Sequence, residues 1–251
     1  MNGQKGDLKV NGSGSYGGGH FGSVKINGDA TISGDVIADS FKVLGTVLVK
    51  GSTTADILSV WGQAEFAGTT DFKDFSIFGK TELNGNAVIS SAKINGQCAI
   101  NGDGAIDSNK LLGSLEVNGD YKGGSANIKG ELMVEGNVSL DAFNSSGRFK
   151  INGLLNAEEI NINPRFANCL AKEIGGEKIS IRRKNELALP FSSRGRVETD
   201  IIEGDEIYLE YTIAKTVRGT NVEIGPGCEI GLVECSGEYK VSPESTVKEK
   251  K

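Results

Sequence analysis

Glycine recurs every 17 residues in two separate series, and this double period constrains the fold more than any other feature of the chain. The first series is Gly28, Gly45, Gly62, Gly79, Gly96, Gly113, Gly130 and Gly147. The second trails it by six residues and is Gly34, Gly51, Gly68, Gly85, Gly102, Gly119, Gly136 and Gly153. Since only 36 of the 251 residues are glycine, sixteen hits in sixteen places do not come from composition. A fixed period of this kind is typical of a solenoid, in which the surfaces and ends usually carry the function.

Apolar or small residues between the glycines fall in pairs two positions apart, which is the spacing of a strand with one inward face. The pairs of the first repeat are Val24/Ile26, Ala30/Ile32 and Val36/Ala38. Each repeat therefore predicts three short strands, with glycine at two corners and residues such as Asp39, Asp56 and Asp74 near the third. Three sides per turn predict an all-β chain that forms a parallel triangular β-helix of about 17 residues per coil.

Stacked coils should place equivalent side chains in inward ladders, and β-branched residues dominate these ladders, as a buried parallel sheet prefers. One predicted ladder is Ile26, Val43, Val60, Ile77, Ile94, Leu111 and Ile128. Another is Ile32, Val49, Phe66, Leu83, Ile100, Val117, Val134 and Ile151. The third side is predicted to be weaker, because Thr53, Thr70, Gly104 and Gly123 occupy its inward places.

The regularity of the repeats divides the chain into four segments. Residues 1–23 are a glycine-rich start with one imperfect coil, and residues 24–163 hold eight regular coils. Residues 164–242 are an irregular β-helical continuation with insertions around 164–177 and 185–196, and residues 243–251 are a charged tail. We expect twelve or so coils in all.

The bulk composition excludes several classes of function. The net charge of −6 argues against a nucleic-acid binder that acts through a broad basic face. No run of 18 apolar residues suggests a membrane span, and residues 1–7 lack the apolar core of a secretory signal, so we expect a cytoplasmic protein. The four cysteines lack metal-ligand spacing, and Cys98 falls at an inward place of the ladder. We expect no cofactor.

Three short patterns have a chemical interpretation beside a structural one. Gly12, Gly14 and Gly17 match the dinucleotide fingerprint by letters, but further glycines follow where a helix is required. His20 is the only histidine, and a general base is the alternative to an exposed residue of the start segment. The acidic clusters at 158–159 and 203–206 are either cation sites or solvated corners.

The segment 182–196 is basic on an otherwise acidic protein and surrounds a small apolar tip. A loop of this kind could touch an anionic membrane surface or dock a membrane-associated partner. The alternative is a solvated insertion whose apolar residues fold back onto the solenoid. The candidate contact residues are Arg182, Arg183, Lys184, Leu187, Leu189, Phe191, Arg194 and Arg196. Trp61, which alternation points outward, is a separate candidate for a lateral contact.

With the coils assigned, the chain resembles the bactofilin family of bacterial polymer-forming cytoskeletal proteins. The resemblance lies in repeats such as residues 24–34, which recur in shorter form at 93–96 and 115–119, and in the C-terminal stretches 202–210 and 222–230. It covers residues 8 to about 240 and is closest to long Firmicute members. The resemblance implies a right-handed coil and end-to-end assembly into nonpolar filaments without nucleotide, which scaffold shape, wall-synthesis or motility machinery at the membrane.

The leading functional hypothesis is therefore a non-enzymatic scaffold subunit that polymerises with itself. The open ends of the fold support polymerisation, because a β-helix ends in two rims of unpaired N–H and C=O groups that can add another strand layer. The alternatives are a β-helical enzyme resembling acyltransferases, against which the isolated His20 and the period of 17 count, and a surface carbohydrate-active β-helix.

Overall fold

A computed structural model describes residues 5–164, 168–183 and 195–251 of the chain. All secondary structure in these residues is β-strand, and the strands pair in parallel. The chain divides into two compact units, Met1–Lys122 (unit 1) and Gly123–Lys251 (unit 2). Together they contain about 14 solenoid turns of roughly 17 residues. This confirms the predicted fold class and exceeds the expected twelve coils, since residues 246–250 form a strand where a charged tail is expected.

Unit 1 alternates strands of eight and four residues. The shorter and terminal strands are β1 (Gly6–Val10), β2 (Ser13–Tyr16), β4 (Asp29–Ile32), β6 (Thr46–Val49), β8 (Gln63–Phe66), β10 (Lys80–Leu83), β12 (Gln97–Ile100) and β14 (Ser114–Val117). The eight-residue strands are β3 (Gly19–Ile26), β5 (Val36–Val43), β7 (Thr53–Val60), β9 (Thr70–Ile77), β11 (Ala87–Ile94) and β13 (Gly104–Leu111). The next strand, β15 (Tyr121–Ile128), contains the division between the units.

The strand register of unit 1 repeats the period of the sequence. From β3 onward each paired residue lies 17 positions from its partner, as in the pairing of Val43 with Val60 and of Val49 with Phe66, whereas the first coil has an offset of 16, as between Leu8 and Val24. Inward side chains along these strands are buried and their neighbours are exposed or half-buried. The predicted inward ladders are therefore confirmed within unit 1.

The third corner differs from the prediction of three separate strands. In β5, Ala38 and Phe41 both point inward, and the two residues between them, Asp39 and Ser40, face outward. Two successive outward residues bend the backbone while its sheet pairing continues, so one eight-residue strand covers two sides of the coil. The corner therefore lies near Asp39 as predicted, but without a break in the strand.

The first glycine series is required by close approach of the backbone and not by a left-handed conformation. A Cβ built on Gly62 would overlap the carbonyl oxygen of Gly45 in the preceding coil. That oxygen accepts a hydrogen bond from the amide of Gln63 at 2.9 Å, so it cannot easily move away. Repetition of this contact explains why the glycine recurs.

The core of unit 1 combines aliphatic ladders with an aromatic cluster. Phe66 packs edge to face against Phe41 and Phe72, with ring centroids 5.8 and 5.6 Å apart. The third side is weaker as predicted, because Thr53 and Thr70 are buried there and their hydroxyls have no hydrogen-bond partner among the described residues.

Unit 2 keeps the parallel sheet and a 17-residue offset up to Ile162, after which the coil length is no longer constant. Its strands after β15 are β16 (Glu131–Val134), β17 (Val138–Ser145), β18 (Arg148–Ile162), β19 (Cys169–Ile181), β20 (Val197–Leu209), β21 (Thr212–Ile224), β22 (Glu229–Cys235), β23 (Tyr239–Val241) and β24 (Thr246–Lys250). The offset between paired residues is 19 for Ile160 and Ile179, 28 for Ile179 and Ile207, and 15 for Ile207 and Val222. Inward aliphatic residues still meet inward aliphatic residues, so the extra residues are taken up at corners.

Candidate interaction surfaces

The first coil leaves one edge of the sheet open. Among the described residues, β1 pairs with β3 alone and β2 with β4 alone, so their other edges carry unpaired backbone groups. The inward side chains of this coil include Leu8 and Tyr16, which are half-buried because no further coil covers them, and Phe21, which is half-buried opposite Gly6. The glycine-rich start thus forms an ordered coil whose apolar core is incompletely covered.

The last coil is formed by the residues expected to be a charged tail, which corrects that expectation. Strand β24 pairs with β22, and the amide of Lys251 donates to the carbonyl of Val233 at 2.9 Å. Its backbone is hydrogen-bonded along one edge, and alternation places Val247 inward while Lys248 and Glu249 face out. Tyr239 is half-buried and Val241 is 47% exposed, so this coil also presents apolar surface.

A single cation lies against the rim of the last coil. Lys250 pairs with the buried Val233, and its ammonium lies 4.4 Å from the ring centroid of Tyr239. Since an ammonium over an aromatic face is attracted by the ring quadrupole, Lys250 partly covers the core here. No comparable cation contact with the rings of the first coil occurs among the described residues.

The arginines that open the basic segment are held by the solenoid itself. The guanidinium of Arg182 lies 3.8 Å from the ring centroid of Tyr208, and that of Arg183 lies 3.2 Å from the centroid of Tyr211. Arg183 also donates through Nη2 to the carbonyl of Gly195 at 2.6 Å, so it joins the two ends of the insertion. These cations pack as anchors of the segment.

One carboxylate organises this corner. Glu210 accepts hydrogen bonds from the amide of Arg183 at 2.8 Å and from the hydroxyl of Tyr208 at 2.7 Å. The hydrogen bond to Glu210, with burial and the carboxylate charge, raises the pKa of Tyr208 to about 12. At the far end of the segment, Arg196 pairs with Glu198 at 2.7 Å. The other predicted contact residues, Lys184, Leu187, Leu189, Phe191 and Arg194, lie outside the described residues.

The structure does not assemble the other sequence candidates into a reactive site. Strand β3 follows the Gly12-Gly14-Gly17 motif where a dinucleotide site needs a helix, so that match is accidental. His20 is exposed on the same strand. No group of three or more metal-ligating side chains forms within the described residues. The same residues contain no helix that could span a membrane.

The cysteines behave as small core residues, apart from Cys235. Cys98, Cys169 and Cys228 are buried, whereas Cys235 is half-buried. Burial raises the pKa of the Cys98 thiol to about 12 and that of Cys169 to about 11, which removes the thiolate at neutral pH.

Unit 2 carries a groove that sequence reasoning missed. It encloses about 960 Å³ across successive coils, and its lining includes Lys150, Lys172, Glu198 and Lys248. An ion pair of 2.7 Å between Lys215 and Asp200 lies within it. Charges of both signs line the groove. Constant 17-residue spacing would not have brought these positions together, because the intervening coils are of unequal length.

An exposed apolar column runs along one corner of unit 1, and sequence reasoning singled out only one of its members. Leu44, Trp61, Phe78 and Leu112 occupy equivalent places just before the first glycine series and are 43%, 54%, 46% and 58% exposed. The rings of Trp61 and Phe78 stack with centroids 4.3 Å apart. We call these four residues the corner ridge. A search for outward residues at a period of 17 would have found all of them.

Comparison with known proteins gives two partial matches. Over 80 residues, or 32% of the chain, it is 45% identical to the uncharacterized protein YhbF of Bacillus subtilis (strain 168). Over 79 residues, it is 43% identical to the uncharacterized protein YhbE of the same organism. The matches span about a third of the length of these relatives. No family model and no solved structure matches, so the chain is placed by its fold, a parallel β-solenoid with 17-residue coils in its regular part.

Proposed function

We propose that the protein is a non-enzymatic scaffold subunit that assembles end to end with copies of itself in the bacterial cytoplasm, as the resemblance to bactofilins implies. The observation that carries the proposal is the pair of terminal coils. Each has a parallel strand edge without a partner among the described residues, above an apolar core that is incompletely covered.

Physical reasoning links these edges to assembly. An open edge exposes a row of backbone donors and acceptors, and natural proteins either block such an edge or use it. Another strand layer would satisfy these groups and cover Leu8 and Tyr16, or Tyr239 and Val241. Burial of apolar surface stabilises by about 25 cal/mol per Å², so two ends of this kind favour repeated addition of subunits. Assembly of this type needs no nucleotide.

Electron microscopy of the purified protein without nucleotide tests the proposal. We expect filaments from the natural sequence and their loss in Tyr16→Asp, at the first coil, and Val241→Asp, at the last. The matched control is Val88→Asp, because Val88 is 53% exposed on a side of unit 1 away from the terminal coils. Circular dichroism should show that all three variants fold. A natural protein that stays monomeric across protein and salt concentrations contradicts the proposal.

Membrane contact through the basic segment stays a prediction. Because Arg183 closes the insertion, neutralising it would confound loss of binding with loss of structure. We therefore propose Lys184→Gln/Arg194→Gln, which leaves the described anchors in place, and compare its sedimentation with anionic liposomes against that of the natural sequence. Unchanged sedimentation would remove the membrane from the proposed partners of this segment.

A further inference from the structure

The corner ridge exposes apolar surface that the fold of unit 1 does not use. Its four side chains are each close to half exposed, and equivalent residues of neighbouring coils lie about 4.8 Å apart. The stack of Trp61 on Phe78 covers one face of each ring, so part of the aromatic surface is already packed. Leu44, Trp61 and Phe78 lie in three successive coils and Leu112 follows beyond Asn95, and exposed apolar clusters of this kind mark interaction sites.

The two flanks of the ridge carry opposite charge. Two positions before the ridge lies an exposed column with Lys25, Lys42, Lys93 and Lys110, and none of these lysines is within 4.0 Å of a carboxylate in the described part of the chain. On the other flank, two and four positions after the ridge, lie Asp29, Glu65, Glu82 and Glu116 together with one cation, Lys80. Lys80 is paired with Glu82 at 2.6 Å.

This asymmetry identifies the occupant. We propose that the corner ridge is a lateral interface between two copies of this chain, related by a two-fold axis parallel to the solenoid axis of unit 1. Such an axis apposes the two ridges and sets the lysine flank of each copy against the acidic flank of the other. A two-fold axis across the solenoid axis would instead set lysines against lysines. An anionic bilayer would attract one flank and repel the other.

The lateral interface binds weakly between two single subunits, and its binding free energy adds up when many subunits are linked. An aromatic side chain buries 150–250 Å² when fully covered, so half-exposed rings contribute on the order of 100 Å² each, well below a standard interface. In an end-to-end assembly the contact repeats along two neighbouring filaments. Because the sites within one filament are linked, each contact raises the effective concentration for the next. The inference goes beyond the proposed end-to-end function and depends on unit 1 alone.

The fluorescence of Trp61 measures the contact directly, because it is the only tryptophan in the chain and lies within the ridge. We expect its emission to shift to shorter wavelength as protein concentration rises. Leu44→Gln/Leu112→Gln, which leaves the Trp61–Phe78 stack intact, should require about tenfold more protein for the same shift, equivalent to about 1.4 kcal/mol. The control Val88→Gln should behave as the natural sequence does. Emission that is independent of protein concentration overturns the proposal, as does a shift seen only with anionic vesicles.

Two single-cysteine positions test the direction of pairing. Asn27 and Asn95 occupy the ridge column four coils apart, about 19 Å along the solenoid axis. In the proposed pair each faces its own copy, so Asn27→Cys and Asn95→Cys should both form disulfide-linked dimers under mild oxidation. Thr54→Cys, exposed on another side, and the natural sequence with its half-buried Cys235 are the controls. Cross-linking at only one of the two positions indicates antiparallel pairing and contradicts the proposal.

Charge reversal and blocked ends complete the design. Lys42→Glu/Lys93→Glu should weaken the dimer, and adding Glu65→Lys/Glu82→Lys should restore it, because both flanks are then reversed together. Failure of restoration contradicts the two-fold geometry. The variant Tyr16→Asp should lose filaments but keep both cross-links. Filaments without cross-links would therefore overturn the lateral interface alone, and cross-links without filaments from the natural sequence would overturn the end-to-end function alone.

Discussion

Unit 1 and the later coils of unit 2 both form parallel sheet, but they differ in how constant the coil length is. In unit 1, every coil after the first has 17 residues and a glycine meets a glycine of the preceding coil, as Gly62 meets Gly45. In unit 2, the offset between paired residues changes from 19 to 28 to 15, yet Ile179, Ile207 and Val222 remain in one inward ladder. The comparison teaches that inward pairing sets the register, whereas the corners set only the coil length.

The difference also separates what each unit offers to partners. Corners without insertions leave the surface of unit 1 open, so its outward columns, including the corner ridge, continue over successive coils. Corners with insertions give unit 2 a groove and the corner organised by Glu210. A uniform coil thus favours repeated contacts, and a variable coil favours local ones.

The sharpest test of the corner rule is Gly62→Ala. The added Cβ would overlap the carbonyl of Gly45, so we expect a loss of more than about 3 kcal/mol in the free energy of unfolding, in the range of the most disruptive core changes. The control is Gly34→Ala, whose Cβ would lie 3.4 Å from the nearest atom and should cost less than about 1 kcal/mol. Urea denaturation followed by circular dichroism compares the two. Equal losses would show that coil geometry and not close approach selects glycine.

In unit 2 the corresponding test is Arg183→Ala. The variant loses a cation–π contact with Tyr211 and a hydrogen bond to Gly195, so we expect about 2 kcal/mol of destabilisation. The control Arg196→Ala breaks a largely exposed ion pair with Glu198 and should cost less than about 1 kcal/mol. Thermal unfolding measures both. If the two variants unfold at the same temperature, Arg183 is not an anchor of the insertion.

The sequence predicted unit 1 better than unit 2 for a physical reason. In unit 1, inward residues such as Val43 and Val60 lie a fixed distance apart along the chain, so counting alone finds their contact. In unit 2, the contact between Ile179 and Ile207 depends on how many residues the corner absorbs, and no local pattern states that number.

The surfaces followed the same logic. The 17-residue period places all four residues of the corner ridge in one outward column. Alternation around Trp61 alone predicts only one of them, because leucine and phenylalanine also occupy many inward positions. Arg183 is predicted as a basic contact residue. Its contact with Tyr211 is not predicted, because the insertion separates the two residues along the chain. The final strand is predicted as a tail because Lys248, Glu249 and Lys250 hide the alternation that Val247 maintains.

The smallest effect we expect concerns the amide ladder along unit 1. Asn101 donates to Asn84 and accepts from Asn118, both at 2.7 Å, so it has a partner on either side. Asn101→Ala should cost about 1 kcal/mol, and Asn118→Ala, which removes only one of these bonds, about half of that, since an exposed hydrogen bond contributes modestly. Chains of hydrogen bonds polarise one another, so the double variant should cost less than the sum of the singles. In unit 2, Asn221 donates at 2.6 Å to the carboxylate of Glu206 in the preceding coil and accepts at 2.9 Å from the amide of Glu238. Asn221→Ala removes both of these bonds and Glu206→Ala removes only one, so we expect the larger loss of stability from Asn221→Ala. Urea midpoints for the five variants decide the matter, and equal losses at Asn101 and Asn118 would show that the ladder is a consequence of the repeat and not a source of its stability.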